Sequence, residues 1–238
     1  MEGKTIAIIT ARGGSKRIPK KNIKEFCGKP IIAYSIEAAL TSNAFDEVMV
    51  STDSEEIAEI ARQYGAKVPF MRSEKTSSDY ATTADVLMEV LEEYEKRGQQ
   101  FAYMACIYPT APFVTAEKLN YGIRKMKEEN AFMAMPVVAF SYPPQRGYII
   151  EGERMNMKWK ENFNKRSQDL EKMYHDCGQF YIFEVENYRE QKGQIMEGIV
   201  PIVVDEMEVQ DIDNETDWKL AEIKYQMISR GMNNENTI

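Results

Sequence analysis

Over residues 1–138, apolar runs of strand length alternate with segments of helical period. The runs Thr5–Thr10, Glu47–Ser51, Val68–Phe70, Tyr103–Tyr108 and Phe132–Val138 read as strands, and the first is apolar enough to be buried. Between them, Ile31–Thr41, Ser54–Tyr64, Thr83–Arg97 and Thr115–Glu129 read as helices. Ser54 before Glu55-Glu56 is a good N-cap, and Thr115 caps the last of these with Lys118 where a capping box prefers Glu. This alternation predicts an α/β fold: a mostly parallel sheet with helices on both faces. Right-handed crossovers would bring the polar strand ends Ser51-Thr52-Asp53 and Tyr108-Pro109-Thr110 to one rim with the end of the first strand.

From Ala139 to Asp176 the rhythm breaks into a stretch rich in Tyr, Pro, Asn and charge. A Glu151-Gly152-Glu153 turn there reads as a hairpin between Tyr148–Ile150 and Arg154–Met157. The expected organisation is a core of residues 1–138 and 177–238 with an inserted arm at 139–176. Tyr142, Tyr148, Met155, Met157, Trp159 and Phe163 would be costly to leave wet, so the arm is expected to pack on a second subunit. The core pattern resumes with Gly178–Phe183, Ile199–Val204 and a strand-like Val209–Asp213, then a helix from Glu215 to Arg230. The tail Asn233–Ile238 is expected to fray.

Composition narrows the class. The formal net charge of −8 argues against a general nucleic-acid binder. Three widely spaced cysteines, Cys27, Cys106 and Cys177, give neither a disulfide framework nor metal-ligand spacing, and point to a reducing, cytoplasmic setting. No segment is apolar for the roughly 20 residues that a membrane helix needs, and the N-terminus carries no apolar signal region. Against the acidic background, Arg12 to Lys29 holds seven Lys and Arg and the single acid Glu25. The segment Ala11-Arg-Gly-Gly-Ser-Lys-Arg-Ile-Pro-Lys-Lys-Asn22 directly follows the first strand. In open α/β sheets that crevice binds ligands. Paired Gly13 and Gly14 let backbone N–H groups approach an anion, and Arg12, Lys16, Arg17, Lys20 and Lys21 supply charge, so a polyphosphate is the natural guest.

Other residues carry two readings each. Asp211 and Asp213, two apart on a strand, would share a face and hold a hard dication such as Mg²⁺, with Ile212 turned into the core; equally, Asp213 could cap the last helix and Asp211 a turn. Asp53 could cap the following helix or touch a ribose. Arg72 with the hydroxyl-rich Ser73–Thr83 segment, Asp79 included, suits recognition of a base and sugar, or is only surface. His175 is the sole histidine, which leaves a Ser-His-Asp triad and a His-based zinc site without parts. Arg166 and Gln168 are surface groups of the arm or donors to an acidic substrate.

Taken in order, the loop 11–22, Val50-Ser-Thr-Asp53, Arg72 with Asp79 and Thr83, Pro109-Thr-Ala-Pro112, Arg166-Ser-Gln168 and Asp211-Ile-Asp213 resemble the cytidylyltransferases that activate nonulosonic acids, the CMP-sialic acid synthetases and their bacterial relatives. Cys106–Phe113 and Tyr174–Phe180 look most like the pseudaminic acid branch. The resemblance implies a Rossmann-like nucleotidyltransferase core, a homodimer through the arm, CTP and an acidic nine-carbon sugar as substrates, and Mg²⁺ on Asp211 and Asp213. It further implies that Ala11, Arg12, Gly13, Gly14, Ser15, Lys16, Lys21, Asn22, Asp53, Arg72, Asp79 and Thr83 contact the nucleotide. Tyr108, Thr110, Arg166, Gln168 and Gln179 would face the sugar, and Lys21, Arg12 and Asp211 would serve catalysis.

Sialate synthetases generally read Gln-Pro-Thr-Ser-Pro-Leu-Arg where this chain has Tyr108-Pro-Thr-Ala-Pro-Phe-Val114. Tyr108 and Val114 imply a less polar pocket, suited to a deoxygenated diamino nonulosonate. No carboxylate lies between Tyr103 and Thr115, unlike the metal-binding loop of sugar-1-phosphate nucleotidyltransferases and Kdo cytidylyltransferases. The expected reaction moves CMP from CTP to the anomeric hydroxyl of a nonulosonic acid, most plainly pseudaminic acid. The alternatives are a related enzyme for legionaminic acid, sialic acid or a sugar-1-phosphate, and a non-catalytic nucleotide-binding module.

Overall fold

The computed structural model describes residues 3–235. In chain order the elements are β1 (Thr5–Thr10), a short hairpin of β2 (Glu25–Phe26) and β3 (Lys29–Pro30), α1 (Ile31–Ser42), β4 (Glu47–Ser51), α2 (Glu55–Gln63), α3 (Glu74–Ser77), α4 (Thr83–Lys96), β5 (Tyr103–Ile107), α5 (Ala116–Glu129) and β6 (Met133–Ala139). There follow the hairpin β7 (Tyr148–Glu151) and β8 (Arg154–Met157), β9 (Tyr174–Asp176), β10 (Phe180–Glu184), α6 (Val185–Glu190), β11 (Ile199–Val203) and α7 (Glu215–Glu235).

The central sheet runs β11-β6-β10-β5-β1-β4, with β9 also on β6. β4, β1, β5, β6 and β11 share one direction, while β9 and β10 oppose it. Alternation along β1 sorts its side chains: Ala7 and Ile9 join the core under α1, α2 and α5, and Ile6 and Ile8 the core under α4. Both faces are covered, which is why this strand reads as one unbroken apolar run. The caps form at Ser54, at Thr115, and as a full capping box of Thr82 with Asp85.

Three sequence expectations fail. Val68–Phe70 makes no strand; only Lys67 bridges to Met49. Val209–Asp213 forms no strand and joins no sheet. The arm is shorter than 139–176, because Ala139 completes β6 and Tyr174–Asp176 returns to pair with it. Between Asp176 and Ile182 the returning strand spends three residues more than β6 does, so β9 and β10 form one strand interrupted by a bulge at Cys177-Gly178-Gln179. Such bulges redirect side chains beside active sites. Within the arm, Tyr142, Tyr148, Ile150, Met155 and Phe163 are exposed. α7 outruns the predicted Arg230; residues 236–238 of the tail expected to fray lie outside the described residues.

Candidate active site

The parallel strands β1, β4 and β5 end on one rim, and the basic loop crosses it. Its route is fixed at four points. Ala11 N–H donates to Ser51 O at 2.9 Å, Gly13 N–H donates to Asp53 Oδ1 at 2.7 Å, and Asn22 Nδ2 donates to Arg12 O at 2.8 Å. Ile18, fully buried beside Phe26 and Trp218, anchors the middle. The loop approaches so closely that a Cβ on Gly13 would lie 3.1 Å from Ser54 Cβ. The basic side chains are thereby held out from a pinned backbone.

Two cavities adjoin under this loop. One, of about 400 Å³, is lined by Ser15, Lys16, Arg17, Lys21, Asn22 and Thr110 among others. The second, of about 270 Å³, is lined by Arg72, Asp79, Thr83 and their neighbours. Thr10, Arg12 and Tyr108 belong to both. Arg72 is buried and fixed, donating from Nε to Ser51 Oγ at 3.1 Å and from Nη2 to Ser51 O at 2.7 Å. Burial pushes its guanidinium pKa down, while Asp53 and Glu89 oppose that shift.

The aspartate pair does not itself line the larger cavity but is tied to two residues that do. Lys21 Nζ donates to Ile212 O at 2.7 Å, and Arg17 Nη1 meets Asp213 Oδ2 at 2.8 Å. Burial lowers the Lys21 pKa, with Asp213 and then Asp211 pulling it back up. Ile212 is buried between the two carboxylates. The capping reading of Asp213 fails: Asn214 Oδ1 accepts from the backbones of Thr216 and Asp217, so Asn214 is the cap.

The segment that carries the pair takes its order from elsewhere. Gln179 Nε2 donates to Glu208 O at 2.6 Å. Lys224 Nζ donates to Glu206 O at 3.1 Å and Val209 O at 2.6 Å, and Lys118 pairs with Glu208 at 2.9 Å. No cluster of three or more His, Cys, Asp or Glu suited to a metal exists among the described residues. Two carboxylates offer hard oxygen donors, which suit a small dication when substrate phosphate and water complete the shell.

Several predicted site residues sit differently. Ala11 is wholly buried and contributes only backbone, and the Gly13 N–H is already taken by Asp53. That bond makes Asp53 an organiser of the loop, while Ser54 caps α2. Asp79 is a counter-ion, meeting Arg12 Nη1 at 2.8 Å and Lys16 Nζ at 2.5 Å. Those two cations lower its pKa, Lys16 foremost. Gln179 lines neither cavity, because the bulge turns its side chain toward Glu208. Arg166 pairs with Asp169 at 2.8 Å, and neither it nor Gln168 lines either of these two cavities. Val114 is packed in the core, so of the two residues expected to make the pocket less polar only Tyr108 faces it. His175 is exposed, pairs with Val138 across β9 and leans on Phe140.

Sequence reasoning missed Tyr181 and Asp176, whose hydroxyl and carboxylate meet at 2.6 Å behind Tyr108. The segment was conspicuous, but the bulge that aims it was not visible as a pattern.

The family model described as Cytidylyltransferase matches residues 6–203. A pseudaminic acid cytidylyltransferase of Campylobacter jejuni is 40% identical over 225 residues, covering 94% of this chain and 97% of that protein. A CMP-N,N'-diacetyllegionaminic acid synthase of Legionella pneumophila is 34% identical over 226 residues, covering 91% and 94%. Among solved structures, a CMP:2-keto-3-deoxy-manno-octonic acid synthetase complexed with CTP superposes with a TM-score of 0.66 at 17% identity, covering 95% of this chain and 99% of that one; this is likeness of fold. A rim of basic loop, buried arginine and paired aspartates on this sheet, together with those matches, places the chain in the cytidylyltransferase family.

Proposed function

We propose that this protein transfers CMP from CTP to the anomeric hydroxyl of a nonulosonic acid, with pseudaminic acid the preferred acceptor, releasing pyrophosphate. The observation that carries the reading is the contact of Lys21 with Ile212 O at 2.7 Å, which ties the phosphate-type loop lining the larger cavity to the segment that carries the aspartate pair. The pseudaminic acid cytidylyltransferase at 40% identity over nearly its whole length supports the choice of sugar, as does the phenol of Tyr108 on the cavity wall.

The division of labour follows from the geometry. Arg12, Ser15 and Lys16 would hold the triphosphate, with Asp79 yielding its two cations to the phosphates. Arg72, locked on Ser51, would present its remaining guanidinium edge to the nucleoside in the smaller cavity. Attack of the anomeric oxygen on the α-phosphorus forms one P–O bond, breaks the bond to the β-phosphate oxygen and frees the hydroxyl proton. Positioning and charge neutralisation dominate such a step. Lys21 and Arg12 supply charge where the leaving pyrophosphate develops its own. Asp211 and Asp213 would hold Mg²⁺, which when bound polarises the α-phosphoryl oxygen. The exposed apolar side of the arm, Tyr148 to Met155, would bury itself in a homodimer, the route by which Arg166 could reach a sugar.

The test is pyrophosphate release with CTP and Mg²⁺ against pseudaminic, legionaminic, sialic and 3-deoxy-octulosonic acids. The highest kcat/KM is expected with pseudaminic acid. Absence of pyrophosphate with every nonulosonic acid would overturn the reading.

A further inference from the structure

The smaller cavity takes one of its walls from a segment with little hold of its own. Thr76, Ser78, Asp79, Ala81 and Thr82 border that cavity, and none of them borders the larger one. They lie on the stretch between Arg72 and α4, where α3 is a single turn, far below the length at which a helix sustains itself. Asp79 links this segment to the basic loop through its exposed pairs with Arg12 and Lys16. Exposed pairs hold weakly, and these two cations are the ones that a triphosphate would claim.

Glu89 ties the segment down from the other side. Its Oε1 accepts Ser73 N–H at 2.9 Å, and its Oε2 accepts the hydroxyls of Ser73 at 2.5 Å and Thr76 at 2.6 Å. Three donors converge on one side chain, an arrangement that only an ionised acid satisfies in full. Burial raises the Glu89 pKa, but the bonds from Ser73 and Thr76 outweigh it and leave the carboxyl below its ordinary range. The platform beneath is firm. Leu87, Val90 and Leu91 of the same helix are in the core, and the capping box of Thr82 with Asp85 closes its first turn. Thr83 and Val86 also line the smaller cavity, so α4 forms part of the wall itself and holds the rest through Glu89.

We propose that Glu89 is a positioning residue for nucleotide binding: it keeps the 73–82 wall seated on α4, so that the nucleoside half of CTP meets a formed pocket once the phosphates have drawn Arg12 and Lys16 from Asp79. The inference rests on the cytidylyl-transfer reading and adds to it a group that touches neither substrate. Because the wall belongs to the smaller cavity alone, its loss falls on the nucleoside and spares the phosphates.

Glu89→Ala removes the tie. Glu89→Gln keeps part of it, since the amide oxygen can accept Ser73 N–H and a hydroxyl can turn to accept from the amide N–H₂. Calorimetry without acceptor uses two probes, CTP and inorganic tripolyphosphate, which lacks the nucleoside. Glu89→Ala is expected to weaken CTP about tenfold, a change on the order of one hydrogen bond to a charged group, with tripolyphosphate weakened by no more than about twofold. Glu89→Gln is expected to bring CTP binding back to within about threefold of the wild type. In turnover by Glu89→Ala, KM for CTP is expected to rise about tenfold while kcat at saturating CTP stays within about threefold, because bound nucleotide restores the wall. Equal weakening of both probes would mark a merely structural residue and overturn the inference, as would unchanged CTP affinity in Glu89→Ala or a Glu89→Gln no better than Glu89→Ala. Any of these results beside normal wild-type turnover removes this inference alone; a wild type that fails to bind either probe removes the functional reading and the inference with it.

Discussion

Replacing Lys21 by Met separates the strut from the catalyst. The ammonium spans two tasks: it holds Ile212 O at 2.7 Å, and it lines the larger cavity with Arg12 and Lys16. Losing the first removes one charge-assisted hydrogen bond, worth about 1.5–3 kcal/mol. The side chain is only half-buried and water can replace part of that bond, so about 1.5 kcal/mol is the appropriate figure. For a chain of this size that lowers Tm by about 3–6 °C, with the protein still folded at assay temperature. Losing the second removes a positive charge from a developing pyrophosphate in a partly water-excluded site. Deleting one preorganised donor of that kind costs about 10²–10³ in rate. The assay is initial-rate pyrophosphate release with CTP varied at saturating acceptor, alongside thermal unfolding. A fall in kcat/KM for CTP of two orders of magnitude with a Tm shift of a few degrees is expected. A Tm shift with kcat/KM within threefold of wild type would make Lys21 a strut alone and refute the catalytic assignment.

Asp211→Ala should retain the fold, since the exposed carboxylate supports no helix or strand, yet lose nearly all turnover; near-normal kcat in Mg²⁺ would sink the metal assignment. Asp79→Asn should lower the KM for CTP, because the carboxylate that competes for Arg12 and Lys16 is gone; an unchanged or raised KM would show that Asp79 assists binding instead. The same clasp has a defined pH sense. Lys16 and Arg12 hold the Asp79 carboxyl below its ordinary range, so the contact is complete above the unfolded carboxylate pKa and is lost as pH falls through the lower folded value; side-chain NMR titration of Asp79 should show that downward displacement. For the arm, sedimentation at micromolar concentration should give a dimer for the wild type and a monomer for Ile150→Asp, and a wild-type monomer would remove the dimer proposal.

Much of this was readable from the chain because local signals and burial agree. β1 is apolar without a break because both its faces are covered, and Ser54 and Thr115 cap helices where their hydroxyls say they should. Glycine, charge and position after a strand located the loop. What was not readable is long-range. The antiparallel course of β10 depends on the route of the arm, and its residues look like any buried strand. Val114 was assigned to the pocket by its place in a motif, but the turn at Ala111–Val114 buries it. The family resemblance puts Gln179 against the sugar, and a bulge of three residues sends it to Glu208 instead. Asp211 and Asp213 have the two-residue spacing of a strand without being in one; burying Ile212 while Lys21 holds its carbonyl yields the same alternation.

The segment from Glu206 to Ile212 has no ladder of its own, and its carbonyls are held by Lys21, Gln179 and Lys224 from three distant parts of the chain. Borrowed order of this kind is shared in both directions. A displacement of α7 that carried Lys224 outward would slacken the aspartates while leaving the basic loop and both cavities as they are. Turnover and CTP binding are therefore separable by force applied at a distance. The outward side of α7, where Leu220, Ile223 and Met227 are exposed, is the place from which an antibody or a crosslink could stop the reaction without ever touching a substrate.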